Sequence, residues 1–513
     1  MALARTFAIA LDGLRGNVVE VEADISAGLP AFVLIGLPDT ALGESRKRVG
    51  AAAVNAGCSL SQKKLTVNLS PAALPKQGSG FDLAIAIASL SAAGVVPPVS
   101  AGRAVHLGEL GLDGRLRPVA GVLPAVLAAR EAGFERVLVP AGNLDEACLV
   151  EGIEVVGVTG LRAAAIVHGA ELDPVDEEPV LPAVSEQRAA PEPDMAEVSG
   201  NGEAVEALVA AAAGGHHLAM VGPPGAGKTM LARRLPSLLP DLAGADALEA
   251  TCIRSLTGLG VGAELVRRPP FEAPHHTASA VSLVGGGSGR ITPGAIVRAT
   301  HGVLFLDEAA EFPPSVLDAL RQPLENGSIT IHRASGAASF PARFQLVLAS
   351  NPCPCGHYGS ADAECTCSPM ARRRYLARMS GPLMDRVDIR LTVRRLGLAA
   401  LHAASDVHAP GLTSSELRAR VESARASALE RLRGTGWVRN ADVAGSWLRS
   451  GDRRLGASAI APLDRALERG GITMRGYDRT LRLAWTLADL DGAGSPDVDH
   501  VGRALFLRRG IRA

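Results

Sequence analysis

The sequence predicts a multi-domain α/β protein: a mixed α+β region, then a parallel-sheet core, then a helical region. Three observations carry this. After residue 199, strand-loop-helix units recur, as a parallel sheet with crossover helices requires. Before it, strand-like and helix-like runs alternate less regularly and end in a stretch at 173–198 dominated by Pro, Glu, Asp and Ala, which has the composition of a linker. From about Thr413 onward the pattern is helical and arginine-rich, broken by Gly and Ser. The chain has 513 residues, enough for about two to four domains. With 47% hydrophobic residues it can bury several cores.

Taken in order, the first region offers strands at 31–35 and 65–69, an apolar helix over 81–93, and a second helix over 123–132 that leads into a strand at 136–140. In the core, 217–221 is a short apolar run suited to a strand, and 230–239 follows as a helix. Two more apolar strands are expected at 303–306 and 346–350. Residues 328–333 and 339–344, flanking Ala334-Ser335-Gly336-Ala337-Ala338, read as a β-hairpin. The run 282–290 is too glycine-rich for a core element.

Composition narrows the chemistry. Formal net charge is −1, so binding to nucleic acid or membrane would have to come from local patches. Aromatics are 3%, which disfavours base stacking on aromatic platforms. No run approaches the roughly eighteen apolar residues of a membrane span, and the N-terminus lacks the pattern of a secretory signal. Cys58, Cys148 and Cys252 are scattered singly, as in a reducing compartment. A cytoplasmic protein is expected.

Lysine occurs only at Lys47, Lys63, Lys64, Lys76 and Lys228, arginine having taken the other basic positions. Lys228 belongs to Gly222-Pro223-Pro224-Gly225-Ala226-Gly227-Lys228-Thr229, the spacing of a phosphate-binding loop. A forked guanidinium cannot replace the compact ammonium that reaches the β- and γ-phosphates. A strand before the loop and a helix after it would aim loop amides and a helix N-terminus at the phosphates. Thr229 is then a candidate Mg²⁺ ligand.

About 80 residues later, Val303-Leu304-Phe305-Leu306-Asp307-Glu308 is an apolar strand ending in two carboxylates. Asp307 is the candidate to hold Mg²⁺ through water, and Glu308 to orient or deprotonate an attacking water. Asn351, after the next strand, can touch a γ-phosphate, although an ordinary turn residue looks the same. Arg386, in Asp385-Arg386-Val387-Asp388, can stabilise charge on a transferring phosphoryl group, often from a neighbouring subunit; a surface ion pair is the plainer alternative. Cys353-Pro354-Cys355 and Cys365-Thr366-Cys367 can close a tetrahedral zinc site or remain free thiols. Adjacent His275 and His276 suit a structural or nucleotide-edge role better than metal ligation.

The order of these motifs resembles the YifB/ComM family of bacterial Mg-chelatase-like AAA+ ATPases over nearly the whole chain. The specific stretches are Glu272-Ala273-Pro274-His275-His276-Thr277, Leu320-Arg321-Gln322-Pro323-Leu324-Glu325 and Asn351-Pro352-Cys353-Pro354-Cys355-Gly356. The resemblance implies a Lon-protease-like α+β domain at 1–172, a linker at 173–198, an AAA+ ATPase core at 199–396 and a helical lid at 397–513. It implies that Asn351 is the sensor-1 residue, Arg386 the arginine finger and Arg475 the sensor-2 arginine of the lid. The hairpin would face a central channel, with His332 and Arg333 as candidate contacts to a phosphate backbone; a solvated arginine is the simpler reading of Arg333. One departure stands out: Ala484-Trp485-Thr486-Leu487-Ala488-Asp489 has Trp485 where the family pattern has arginine.

In the first region, Leu74-Pro75-Lys76-Gln77-Gly78-Ser79-Gly80-Phe81-Asp82 and 108–119 carry the Lon-like resemblance. It puts Gly80 at the nucleophile position and Leu123 at the lysine position, so no peptidase is expected. The implied activity is ATP hydrolysis with Mg²⁺ by a homo-hexamer that moves on single-stranded or branched DNA during recombination. The alternative is a chelatase-like motor that remodels a protein or serves metal insertion, working with separate partner subunits.

Overall fold

The computed structural model describes all residues except 1, 37–39, 73, 75, 77, 182–191, 288–290, 334–335, 360–363, 380, 396–411 and 511–513. Part of the expected linker, the end of the glycine-rich run, the hairpin tip at Ala334-Ser335 with the side chain of Arg333, and the start of the expected lid therefore lie outside the described residues.

The first region is a seven-stranded mixed sheet in the order Ala31–Ile35, Lys64–Ser70, Arg15–Ser26, Ala2–Asp12, Ala104–His106, Arg136–Pro140, Glu154–Val158. Its founding unit is a long antiparallel hairpin that stays in register from Ala2↔Ile25 to Asp12↔Arg15. The turn between those strands starts at Gly13, whose φ of +64° a Cβ-bearing residue adopts only with strain. Helix Asp82–Ala92 is buried along its whole length, as its unbroken Leu-Ala-Ile-Ala-Ile sequence requires. Its one carboxylate, Asp82, is satisfied by the Arg48 guanidinium (2.6 Å), the Ser45 hydroxyl and the Leu110 amide (3.2 Å).

The second sheet has five parallel strands in the order Phe271–Glu272, Val303–Leu306, Gln345–Ser350, Leu218–Val221, Ile389–Thr392. In chain order that is 2-3-4-1-5, so the phosphate-loop strand lies between the fourth and fifth strands. Leu218–Val221, Val303–Leu306 and Gln345–Ser350 are buried at every position. Helices and loops cover both faces, which is why these strands read as apolar runs without alternation. The expected hairpin forms, but its second strand begins earlier than its sequence suggests: Ser328–Arg333 pairs with Gly336–Pro341.

The C-terminal region is helical, with Ser414–Arg431, Ala457–Glu468, Met474–Leu490 and Val498–Arg509 as its main elements. It shares one apolar cluster with the phosphate-loop side of the core: Leu417, Val421, Leu481 and Leu483 pack with Leu218, Met220 and Leu231. Trp485, at the position where the family pattern has arginine, is 4% exposed, and the Arg431 guanidinium lies 4.4 Å from its ring centroid. Arg431 also pairs with Asp489 at 2.7 Å. The helical region and core are further joined by Asp388, which receives Arg479 Nη1 at 2.7 Å and the His217 amide at 3.2 Å.

The two regions meet through their helices. Cys252, on helix Gly244–Leu256 of the core, sits in one apolar cluster with Val122, Leu123 and Val126 of helix Val122–Glu131. The Gly121 amide donates to the Ser255 carbonyl at 3.0 Å, and the Ser255 hydroxyl donates to the Glu146 carboxylate. Among the described residues no helix is long and apolar enough to cross a membrane.

Burial alone would raise Asp388, but Arg479, His216 and His217 outweigh it and hold the carboxyl well below the usual range. Its stabilising contribution is therefore complete above about pH 4 and lost as pH falls toward the folded value. Arg479→Ala should strand this buried charge at a cost of about 3–5 kcal/mol. It should also move acid unfolding to higher pH. Denaturant and acid titrations followed by circular dichroism check both effects.

Candidate functional site

Three adjacent strands of the parallel sheet run out at one edge, and the residues that follow them converge. Leu218↔Val347 to Val221↔Ser350 and Val303↔Gln345 to Leu306↔Leu348 fix the register. Gly222, Asp307 and Asn351 are the next residues after those strands, so one edge receives the loop, the carboxylate and the amide.

The loop turns through Gly225 at φ +76° and Gly227 at φ +90°, conformations that favour glycine. Gly227 caps helix Lys228–Leu238, whose free amides face the loop. Pro224 to Met230, Asp307, Glu308, Ser350 and Asn351 line a cavity of about 420 Å³. Lys228 is buried, and its Nζ donates to the carbonyls of Gly222 (2.6 Å) and Pro223 (3.0 Å) and to Asn351 Oδ1 (3.3 Å). Burial pushes its pKa down, while Asp307 and Glu308 oppose the shift. The Thr229 hydroxyl donates to Asp307 Oδ2 at 2.6 Å. A hydroxyl and a carboxylate thus meet beside a helix N-terminus and a buried ammonium, a donor set that fits a triphosphate and a hard divalent cation.

Glu308 has φ +52°, an unusual value for a residue with a side chain. Its amide donates to Asp307 Oδ1 at 3.0 Å, and Oε2 lies 2.9 Å from His276 Nδ1. The turn keeps the carboxylate half-exposed at the cavity rather than buried with the strand. His276 is the contact that sequence reasoning did not assign in detail; its position four residues after strand Phe271–Glu272 was the available signal.

Arg386 and Arg475 do not line this cavity. The Arg386 guanidinium donates to the Pro382 carbonyl at 2.6 Å and pairs with Glu325. Burial lowers its pKa, and Arg475, Arg479 and Arg321 lower it further, so these arginines form a separate basic group. Arg479 was also missed; it lies one helical turn after Arg475 in helix Met474–Leu490. His332 is exposed on the hairpin. The four loop cysteines form a cluster with every Sγ within 4.8 Å of the others.

In the first region, a cavity of about 450 Å³ is lined by Ser79, Gly80 and Glu109 from one side and Leu256, Ile291 and Ala337 from the other. The Ser79 hydroxyl donates to Glu109. Leu123 is fully buried, and the Lys76 ammonium is bonded to the carbonyls of Gly36 (3.1 Å) and Pro71.

The closeness of the strands at the loop yields a test. A Cβ on Gly222 would lie 2.2 Å from the Val393 carbonyl oxygen. Gly222→Ala should push the loop strand off strand Ile389–Thr392 and cost about 1–3 kcal/mol. Thermal melting with and without nucleotide checks this, with a lower melting temperature and a smaller nucleotide-induced rise expected.

Comparison with known proteins bears on the whole chain. The family model for magnesium chelatase subunit ChlI matches residues 194–401. Models for subunit ChlI of Mg-chelatase and for the ChlI C-terminal region match 21–143 and 411–508. An uncharacterized protein of Mycobacterium tuberculosis is 50% identical over 99% of both chains. The competence protein ComM of Haemophilus influenzae is 39% identical over all of this chain and 98% of its own length. The uncharacterized protein YifB of Escherichia coli is 37% identical over 99% of this chain and 97% of its own. A Lon protease of Mycolicibacterium smegmatis matches at 27% identity over 33% of this chain and 22% of its own length, which accords with a Lon-like N-terminal fold. With its Lon-like α+β region, parallel-sheet core and helical C-terminal region, the chain belongs to the YifB/ComM family of Mg-chelatase-like AAA+ proteins.

Proposed function

We propose that the chain is an ATPase that assembles as a homo-hexameric ring and couples Mg-ATP hydrolysis to movement on single-stranded or branched DNA, driving branch migration in recombination. The observation that carries the ATPase reading is the convergence of Lys228, Thr229, Asp307, Glu308 and Asn351 on one cavity. The DNA reading draws support from full-length similarity to a competence protein. It takes natural transformation as the setting and the cytoplasm as the compartment.

On this reading Gly222, Pro223, Pro224, Gly225, Ala226 and Gly227 wrap the phosphates. Lys228 exchanges its carbonyl partners for β- and γ-phosphate oxygens. Thr229 and Asp307 hold Mg²⁺, which neutralises developing phosphoryl charge when bound. Glu308, oriented by His276, takes a proton from the attacking water, and Asn351 fixes that water or the γ-phosphate. Arg386 lies outside its own subunit's cavity, so its role is that of a finger donated to a neighbour, with Arg475 moving in from the lid. His332 and Arg333 contact DNA backbone from the hairpin. Zn²⁺ occupies the cluster of Cys353, Cys355, Cys365 and Cys367. The first region serves assembly or substrate contact without peptidase activity, since Ser79 faces a carboxylate rather than a lysine.

The second reading, a motor for a protein or metal-insertion partner, is favoured by the chelatase family matches. A labelled four-way junction separates the two. Wild type with Mg-ATP should convert it to forked products; Glu308→Gln should bind ATP yet yield none, and Lys228→Ala should fail to bind. Active ATP turnover without junction conversion would contradict the DNA reading and favour the second. Arg386→Ala should retain ATP binding, lose turnover, and inhibit wild-type chains when mixed with them; mixtures whose rate follows only the wild-type share would exclude a donated finger.

A further inference from the structure

The four-cysteine loop has a geometry more specific than proximity. Cys353 and Cys355 Sγ are 3.3 Å apart, and each lies 3.7 Å from Cys365 Sγ. Four sulfurs placed about 2.3 Å from a central tetrahedral metal would be separated by about 3.8 Å along each edge. A disulfide brings its sulfurs to about 2.05 Å, and all four thiols are free. An iron–sulfur cluster inserts several irons and sulfides between its cysteines, so these short separations suit a single ion. The Tyr358 amide donates to Cys353 Sγ at 3.4 Å, a contact that supports charge on a ligating sulfur. A set of four sulfurs with no other ligand describes a structural zinc site rather than a catalytic one.

The position of this loop gives the ion a purpose. Asn351, whose Oδ1 accepts from Lys228, is two residues before Cys353. The Ser350 carbonyl accepts from the Gly222 amide at 3.2 Å. On the far side of the first cysteine pair, Gly356 adopts φ +81°, and a Cβ there would lie 2.9 Å from both Cδ and Cγ of Pro224. The first cysteine pair is thus flanked on one side by the amide that meets Lys228 and on the other by a glycine seated against the phosphate loop. Without a cross-link, the loop pays the entropy of holding both positions.

We infer that zinc in this cluster braces the nucleotide pocket, fixing Asn351 and Pro224 so that ATP meets a preformed loop. The brace rests on the nucleotide reading above; the zinc site does not. Removing the ion frees the loop and lowers ATP affinity without touching a residue that contacts phosphate.

Full-length protein purified without chelator should contain one zinc per chain, released when a mercurial blocks the thiols. Cobalt put in its place should show the absorption of a tetrahedral tetrathiolate. Cys365→Ser should lose the metal and bind ATP about tenfold more weakly, as measured by calorimetry. Should that variant fail to fold, stripping wild type with a strong chelator and restoring zinc provides the comparison: affinity should fall and then recover. Iron in the cluster, or no metal and no uptake of zinc, would overturn the zinc site. Zinc loss with ATP affinity changed less than about twofold would overturn the brace. A zinc-loaded wild type that binds no ATP would instead overturn the nucleotide reading, and the brace with it.

Discussion

The register of three parallel strands is the constraint on which the candidate site depends. Lys228, Asp307 and Asn351 come from separate parts of the chain, and they meet because Leu218–Val221, Val303–Leu306 and Gln345–Ser350 end at one edge. A slip of one residue would turn each strand's side chains to the opposite face and carry the carboxylate or the amide away from the loop. Because the strands are buried on both faces, a slip that draws the following polar residue into the layer would leave it unpaired there, at a cost in free energy. The same burial explains why the polar residues appear only where the strands stop, the usual place for ligand chemistry in an open parallel sheet.

The core is tied to its neighbours by few but specific polar contacts. Asp388 follows directly on the segment carrying Arg386, and it receives Arg479 from the helical region and the His217 amide from the start of the phosphate-loop strand. Movement of the helical region would therefore be felt at both the basic group around Arg386 and the base of the loop strand. On the other flank, Gly121, Glu146 and Ser255 join the Lon-like region to helix Gly244–Leu256. Ala337 of the hairpin helps line the cavity that contains Ser79 and Glu109. The Lon-like region thus meets both the hairpin and the core.

Much of this was legible in the sequence, for physical reasons that differ by element. The glycine-rich loop is legible because glycines at positive φ and one lysine recur at the fixed spacing of a phosphate-binding loop. Buried parallel strands are legible as apolar runs, and the all-apolar helix Asp82–Ala92 as an interior helix. The Asp388–Arg479 pair was not legible, because nothing local marks which of many arginines will reach a carboxylate distant in sequence. Trp485 stands where the family pattern has arginine, and its ring is buried against the Arg431 guanidinium of another helix. The two cysteine pairs were visible as spacing, whereas the closeness of all four sulfurs is a property of the tertiary structure. The hairpin strands were expected further apart because Gly336 and its neighbours suggest turn rather than ladder, yet they pair tightly.

The most direct test of the account is the steady-state ATP turnover of the full-length chain with and without single-stranded, double-stranded and four-way-junction DNA, repeated across a salt series. A nucleotide motor that grips phosphate backbones predicts turnover that rises with DNA and loses that rise as salt increases. Turnover indifferent to every DNA at low salt would contradict it and direct attention to a protein partner.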